Sequence, residues 1–119
     1  MPRDLRFSRS RRLTRMLEFN RVRKEGRVTR GQLLSLAVLS PGGQTEMRAA
    51  FITSRKVGGA VVRNRVRRRL REIVRRHQND VLGGTWIITI ASAGAARVPY
   101  RALEDEWLRL AKRASILAP

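Results

Sequence analysis

The spacing of apolar residues changes several times along this chain, and each change marks an element. Leu13, Leu17 and Val22 recur at near-helical intervals, with Thr14 where a capping hydroxyl would stand and Gly26 as a stop. This predicts a helix over residues 15–24, with Phe19 close to its inward face. Residues 33–39 form a short apolar run, Ser40-Pro41-Gly42-Gly43-Gln44 reads as a turn, and residues 47–54 form a second run. Together they predict a hairpin over 33–54. After Gly58-Gly59 the apolar residues fall at Val62, Val66, Leu70, Ile73 and Val74, one stripe of a helix over about 60–76. Gly83-Gly84 interrupts the chain, and residues 85–91 form a continuous apolar run suited to a buried strand. Pro99 opens a last helix with Tyr100, Leu103, Trp107 and Leu110 on one face. Glu104, Asp105 and Glu106 sit near its start, where acids suit the helix dipole.

The predicted order is α-β-β-α-β-α. That implies an α+β fold: a two-layer α/β sandwich whose central sheet is packed by helices. Residues 1–12 are polar, basic and aperiodic and read as a flexible arm. Residues 13–119 suit a single domain, since 119 residues leave little room for two.

Charge changes this picture most. Lys and Arg total 27 against 9 acids, a formal net charge of +18, and Lys occurs only at Lys24, Lys56 and Lys112. A compact chain of this charge repels itself and attracts polyanions. Arginine adds a planar fork for phosphate and a flat face for bases. GC-rich coding would also favour Arg over Lys, but it does not account for the net charge.

The charge is concentrated between Arg55 and Arg76, which hold ten basic residues and one acid, Glu72. At about 100° per residue, Asn64, Arg68, Arg71 and Arg75 lie opposite the apolar stripe. Arg65, Arg69 and Arg76 flank them, and Arg63 and Arg67 lie nearer the stripe. Such a helix repels itself at i,i+3 and i,i+4 and is better arranged for a polyanion than for solvent. Its stripe of Val, Leu and Ile suits packing on a sheet more than lying on a membrane. No heptads follow Val74, which argues against a leucine-zipper basic region, and the flanking strands argue against a helix-turn-helix. RNA is the polyanion that fits best.

Other chemistry is limited by what is missing. With no cysteine, thiolate metal sites and disulfides are excluded and a reducing cytoplasm fits. His77 is the single histidine, so two-histidine nuclease chemistry is excluded. Its expected role is a C-terminal cap on the basic helix. No apolar run approaches the roughly 18 residues of a membrane span, and no secretory signal is expected.

The segment Ser54-Arg55-Lys56-Val57-Gly58-Gly59-Ala60-Val61-Val62-Arg63-Asn64-Arg65-Val66-Arg67-Arg68 closely resembles the bacterial ribonuclease P protein family. That family carries an Arg-Asn-Arg core on a helix after a small-residue turn. Arg12-Leu13, Glu18-Phe19, Lys24-Glu25-Gly26 and Arg48 fit the surrounding layout, so the resemblance spans nearly the whole chain. It implies a protein subunit of ribonuclease P, one per catalytic RNA, with dimerisation possible. The RNA would hydrolyse the phosphodiester using Mg²⁺, and this chain would have no catalytic residue and no metal of its own. The holoenzyme would remove the 5′ leader of precursor tRNA in the cytoplasm. A ribosomal or other structural RNA-binding protein is the alternative.

The resemblance also implies a division of sites. Arg55, Lys56, Arg63, Asn64, Arg65, Arg67, Arg68 and Arg71 would face the catalytic RNA, with Arg75 beside them. The leader would lie in a cleft near Phe19, Arg23, Ala37 and Ile52. Family members often place further aromatics at positions matching Arg23 and Ala37, and a basic residue after the third strand, where Ala91-Ser92 stands here. Stacking would therefore rest on Phe19, while Phe51, Trp86 and Trp107 are expected in the core.

Overall fold

Strand order in the sheet follows from which strands can be covered on both faces. A computed structural model describes residues 11–119. The elements are α1 (Met16–Glu25), β1 (Arg27–Arg30), β2 (Leu34–Leu39), β3 (Arg48–Thr53), α2 (Ala60–His77), β4 (Trp86–Ala91) and α3 (Tyr100–Arg113). They form one four-stranded sheet in the order β1-β2-β4-β3. β1–β2 and β2–β4 are antiparallel, and β3–β4 is parallel, joined through α2.

The α+β reading and the predicted helices hold, with two changes to the sheet. The hairpin predicted over 33–54 does not form: β2 and β3 both pair with β4, which lies between them. β4 is the most continuously apolar run, and only a central position buries both of its faces. β2 instead forms its hairpin with β1, a strand absent from the predicted order. Its sequence, Arg-Val-Thr-Arg, carries no apolar run to announce it.

Alternation along the strands builds two cores. Leu34, Leu36, Val38, Ala49 and Ile87 meet Val66, Leu70, Ile73 and Val74 of α2 and Leu103, Trp107 and Leu110 of α3. On the other face Ala37, Trp86 and Ile88 meet Leu13 and Val22 under α1. The helix–sheet sandwich thus gains a partial third layer. The expectation that Leu17 faces inward fails: it is 84% exposed. Val22, which is fully buried, sets the face of α1, and Leu17 lies about 140° around the helix from it. Thr14 does not cap α1. Arg15 occupies that position, and no side chain makes a capping bond. Thr14 belongs to the extended lead-in, whose Leu13 N–H donates to Ala49 O at 2.8 Å.

Residues 1–10 of the expected arm lie outside the described residues. Arg11 and Arg12 are placed: Arg11 donates to Gln78 Oε1 at 2.9 Å, and Arg12 bridges to Ala49 at the open edge of β3.

Helix α3 is fastened by its polar residues. Trp107 Nε1–H donates to Thr89 Oγ1 at 3.1 Å, both buried, pinning α3 to β4. Glu106 is 3% exposed, and its Oε2 accepts the backbone N–H groups of Leu33 and Leu34, each at 2.6 Å. A carboxylate carried by a helix thereby closes the turn between β1 and β2. His77 does not cap α2. Gln78 Nε2 reaches Arg75 O at 3.0 Å near the helix end, while His77 Nε2 lies 3.0 Å from Glu104 Oε2 and its ring stacks on Trp107. His77 is therefore a joint between α2 and α3.

Glu106→Ala would leave two largely buried N–H donors unsatisfied, at about 1–3 kcal/mol each. Denaturant unfolding is expected to show a loss of about 2–5 kcal/mol, with Glu106→Gln retaining much of the stability because its amide oxygen still accepts. A loss for Glu106→Ala within about 0.5 kcal/mol of wild type, as for an ordinary surface change, would show that the turn closes without this carboxylate.

Candidate nucleic-acid interface

Helix α2 is preceded by a tight approach. Arg55–Val57 form a 3-10 turn, and Gly58 follows at φ 151°, where a Cβ would lie 2.8 Å from the Val62 side chain. Gly59 stands at the N-cap, and Arg63 N–H donates to its carbonyl at 2.9 Å. The buried stripe is Val66, Leu70, Ile73 and Val74. α2 lies over β3, and α3 over β2 and β1. That orientation leaves Asn64, Arg65, Arg68 and Arg71 exposed, with Arg55 and Lys56 exposed in the preceding turn.

The remaining candidates on α2 are partly committed within the fold. Arg67 is half-buried: it donates to Thr53 Oγ1 at 2.8 Å and to Asn64 Oδ1 at 3.2 Å, tying α2 to the end of β3. Arg63 is half-buried. Arg69 reaches Val98 O at 3.3 Å, and Arg65 reaches Ala96 O at 3.4 Å. The turn over 55–57 packs against the one over 93–97, which brings exposed Arg97 to the same end of the surface.

Arg75 bonds Glu72 through Nε at 2.9 Å. That bond holds the Glu72 carboxyl below its ordinary value and raises Arg75. Arg76 is raised chiefly by the Tyr100 hydroxyl, then by Glu104. The outward charge of α2 is therefore carried chiefly by Arg65, Arg68 and Arg71. Arg75 and Arg76 are partly neutralised by carboxylates.

The structure adds residues that periodicity could not show. Arg12, Thr14 and Phe51 line a shallow cavity of about 160 Å³ together with Arg67 and Arg71. Asn64, Arg67, Arg68 and Arg71 line its neighbour. Arg12 ends the stretch whose sequence reads as an aperiodic arm, and only its bridge to Ala49 places it beside α2.

On the opposite face of the sheet, α1 covers β2 and β4 and leaves β3 more open. Phe19 is half-buried against Ala37, Trp86 and Ile88, alongside Ala50, Ile52 and Ile90. Ala37 is 2% exposed, so it shapes this groove from beneath, while half-buried Ile52 and Ile90 form its accessible floor. Arg23 is exposed on α1. At one end Arg48 donates to Glu18 at 2.6 Å and lies 5.7 Å over the Trp86 ring. Glu18 Oε1, Arg48 Nε and Trp86 Nε1 are buried with no partner among the described residues. The groove thus combines an apolar floor with unsatisfied polar atoms at one end. Trp86 and Trp107 are core, as expected, and Phe51 is half-buried at the rim of the Arg12 cavity.

The family model described as Ribonuclease P matches residues 7–115. The chain belongs to the ribonuclease P protein family. It is 39% identical over 107 residues to a ribonuclease P protein component from Chloroflexus aurantiacus, covering 89% of this chain and 78% of that one. It is 35% identical over 109 residues to one from Brevibacillus brevis, covering 92% and 86%. The fold superposes on an RNase P protein from Staphylococcus aureus with TM-score 0.83 at 23% identity, covering 90% of this chain and 97% of that one. It superposes on one from Thermotoga maritima with TM-score 0.71 at 26% identity, covering 94% and 97%. In this family member both the Arg63-Asn64-Arg65 helix and the α1 groove are present, on opposite faces of the sheet.

Two outcomes follow from the bonds on α2. Arg67→Ala is expected to cost roughly 0.5–1.5 kcal/mol through its lost bond to Thr53. Arg68→Ala should stay within about 0.5 kcal/mol of wild type. Equal stabilities in urea would show that Arg67 has no structural role. The depressed Glu72 carboxyl contributes stability that is present above its unfolded-state value and lost as pH falls through its folded value. Glu72→Gln lacks that term, so its stability should fall less than wild type between about pH 6 and about pH 3. Parallel curves would remove the Glu72–Arg75 pair from the acid response.

Proposed function

We propose that this chain is the protein subunit of ribonuclease P, the tRNA-processing ribonuclease, and that α2 grips its catalytic RNA. One observation carries the reading. Arg65, Arg68 and Arg71 stand together on the outward face of α2, with Asn64 among them, Arg55 and Lys56 before them, and no carboxylate paired to them among the described residues. Unpaired arginines at helical spacing repel one another. Phosphates would relieve that repulsion through charge-assisted, bidentate hydrogen bonds. Arg63, Arg67 and Arg75 would support this face and add contacts at its margins.

The 5′ leader of precursor tRNA fits the α1 groove. Phe19 offers one aromatic edge, Ile52 and Ile90 a flat apolar floor, and Arg23 a cation for the backbone. The Arg48–Glu18 pair over the Trp86 ring closes one end of the groove. Arg23 and Ala37 stand where the family often has aromatics, so leader contacts here are more ionic and less stacked. In this reading the protein holds and orients RNA, one copy per RNA. Bond cleavage and the Mg²⁺ it uses belong to the RNA subunit.

The test adds the protein to a bacterial ribonuclease P RNA and precursor tRNA at low Mg²⁺. Faster 5′ cleavage than by RNA alone is expected, and no gain would overturn the subunit role. Cleavage by the protein without RNA would overturn its accessory status. Arg65→Ala with Arg68→Ala should weaken RNA binding and lower the log–log salt slope by about one per lost phosphate contact. Phe19→Ala should reduce the preference for precursor over mature tRNA. Equal weakening toward both would return Phe19 to a packing role.

A further inference from the structure

The basic surface of α2 lies over β3, at one edge of the sheet. The other edge is β1, and it is also basic. Three chain segments converge there. α1 ends at Glu25 and runs through Gly26 directly into Arg27. Arg27 in turn donates to Ala114 O at 3.3 Å, which holds the last turn of α3 against the start of β1. Exposed Arg23 and Lys24 arrive from α1, Arg27 and Arg30 from β1, and Lys112 and Arg113 from α3. No carboxylate pairs with any of the six among the described residues. The nearby acids are occupied: Glu25 bonds Arg21 at 3.1 Å, and buried Glu106 bonds Arg109 and the turn at Leu33.

Two ordinary roles for these charges fall short of their number. Cations suit helix C-termini, but a helix end carries only about half a unit of negative charge, so two ends offset about one of the six. At the end of α3 the Leu110, Ala111 and Lys112 carbonyls already accept the backbone N–H groups of Ala114, Ile116 and Ser115, and at the end of α1 the Val22 carbonyl accepts that of Gly26. An open edge strand is protected from pairing by one or two charged side chains, which Arg27 and Arg30 supply. The remaining cations add to this edge of a chain of net charge +18, which already repels itself.

We infer that the β1 edge is a second surface for the backbone of the RNA subunit, apart from the leader groove, so that one copy of the protein holds two stretches of that RNA at opposite edges of its sheet. Three strand spacings of about 4.8 Å put the edges roughly 14 Å apart in backbone alone. Helices α2 and α3 widen that separation. Among the described residues the corner has no exposed aromatic residue, so it reads phosphate rather than bases. Val28 is its one exposed large apolar side chain among the described residues, too little apolar cover for a membrane-lying surface. The RNA as partner class rests on the function proposed above; the second surface goes beyond it.

The chain has no cysteine, so single cysteines can carry an iron–EDTA tether. Val28→Cys reports on the β1 edge and Val61→Cys on the start of α2, both exposed positions. Hydroxyl-radical cleavage is mapped on a bacterial ribonuclease P RNA bound to the full chain. Cuts from position 28 at nucleotides separate from those cut from position 61 are expected. Cuts from position 61 alone, or the same nucleotides cut from both, would overturn the second surface and leave the α2 assignment standing. Cuts from position 28 alone would uphold the edge and overturn α2, and cuts from neither would overturn both.

A second measurement uses Lys24→Gln, Arg30→Gln, Lys112→Gln and Arg113→Gln together, sparing the structural Arg27 and Arg23 of the groove. With circular dichroism unchanged, the log–log salt slope for this RNA should fall by roughly 2–4. A fall below about 1 would overturn the proposal. Anionic phosphatidylglycerol vesicles bound by wild type and not by this variant, with no cuts from position 28, would replace RNA with a membrane at this edge.

Discussion

Strand β4 leaves almost no surface to water. Trp86 through Thr89 and Ala91 are buried, and only Ile90 is partly open. One face of the strand needs α2 and α3, the other needs Leu13 and α1, and both its edges need strands. Meeting that demand places every other element. β2 and β3 flank β4 and cannot pair with each other, so β2 must find β1. α2 must cross from β3 to β4 over one face, which turns its opposite side outward. The arginine surface therefore follows from covering a central apolar strand.

A chain of this charge has few acids with which to hold itself together, and it uses several of them as joints. Glu18 ties α1 to Arg48 on β3, Glu104 ties α3 to His77 and Arg76 at the end of α2, and Glu106 ties α3 to the turn before β2. Each is at least four-fifths buried at its side chain, where a charge pair is less screened than at the surface. Carboxylates spent at joints are not available to neutralise outward arginines. The same shortage that makes the fold depend on a few ion pairs leaves α2 and the β1 corner strongly positive.

The two faces of the sheet serve different chemistry. On one, Arg65, Arg68 and Arg71 project from a rigid helix whose own apolar stripe fixes their direction. On the other, α1 stops short of β3 and leaves a half-open apolar groove with polar atoms at its end. In the proposed function the RNA subunit and the leader would meet separate, rigid surfaces. Arg12 joins the first surface only because the lead-in to α1 bonds the free edge of β3.

Much of this was legible in the linear pattern. The helices over α1, α2 and α3, the apolar runs of β2, β3 and β4, and the outward arginines of α2 all follow from local spacing, because a helix period decides which side chains share a face. Strand pairing was not legible. β1 has no apolar run, and whether β2 pairs with β3 or with β4 depends on burial contributed by segments far away in sequence. Leu17 looked like core because it is apolar, yet Val22 owns the buried face of α1. His77 looked like a cap because it ends a helix, yet Glu104 and Trp107 lie across from it. The sequence by itself determined the charge, the helices and the Arg-Asn-Arg face. The tertiary structure decided the sheet order, the roles of the buried acids and the company Arg12 keeps, because those depend on contacts between residues that no local period relates.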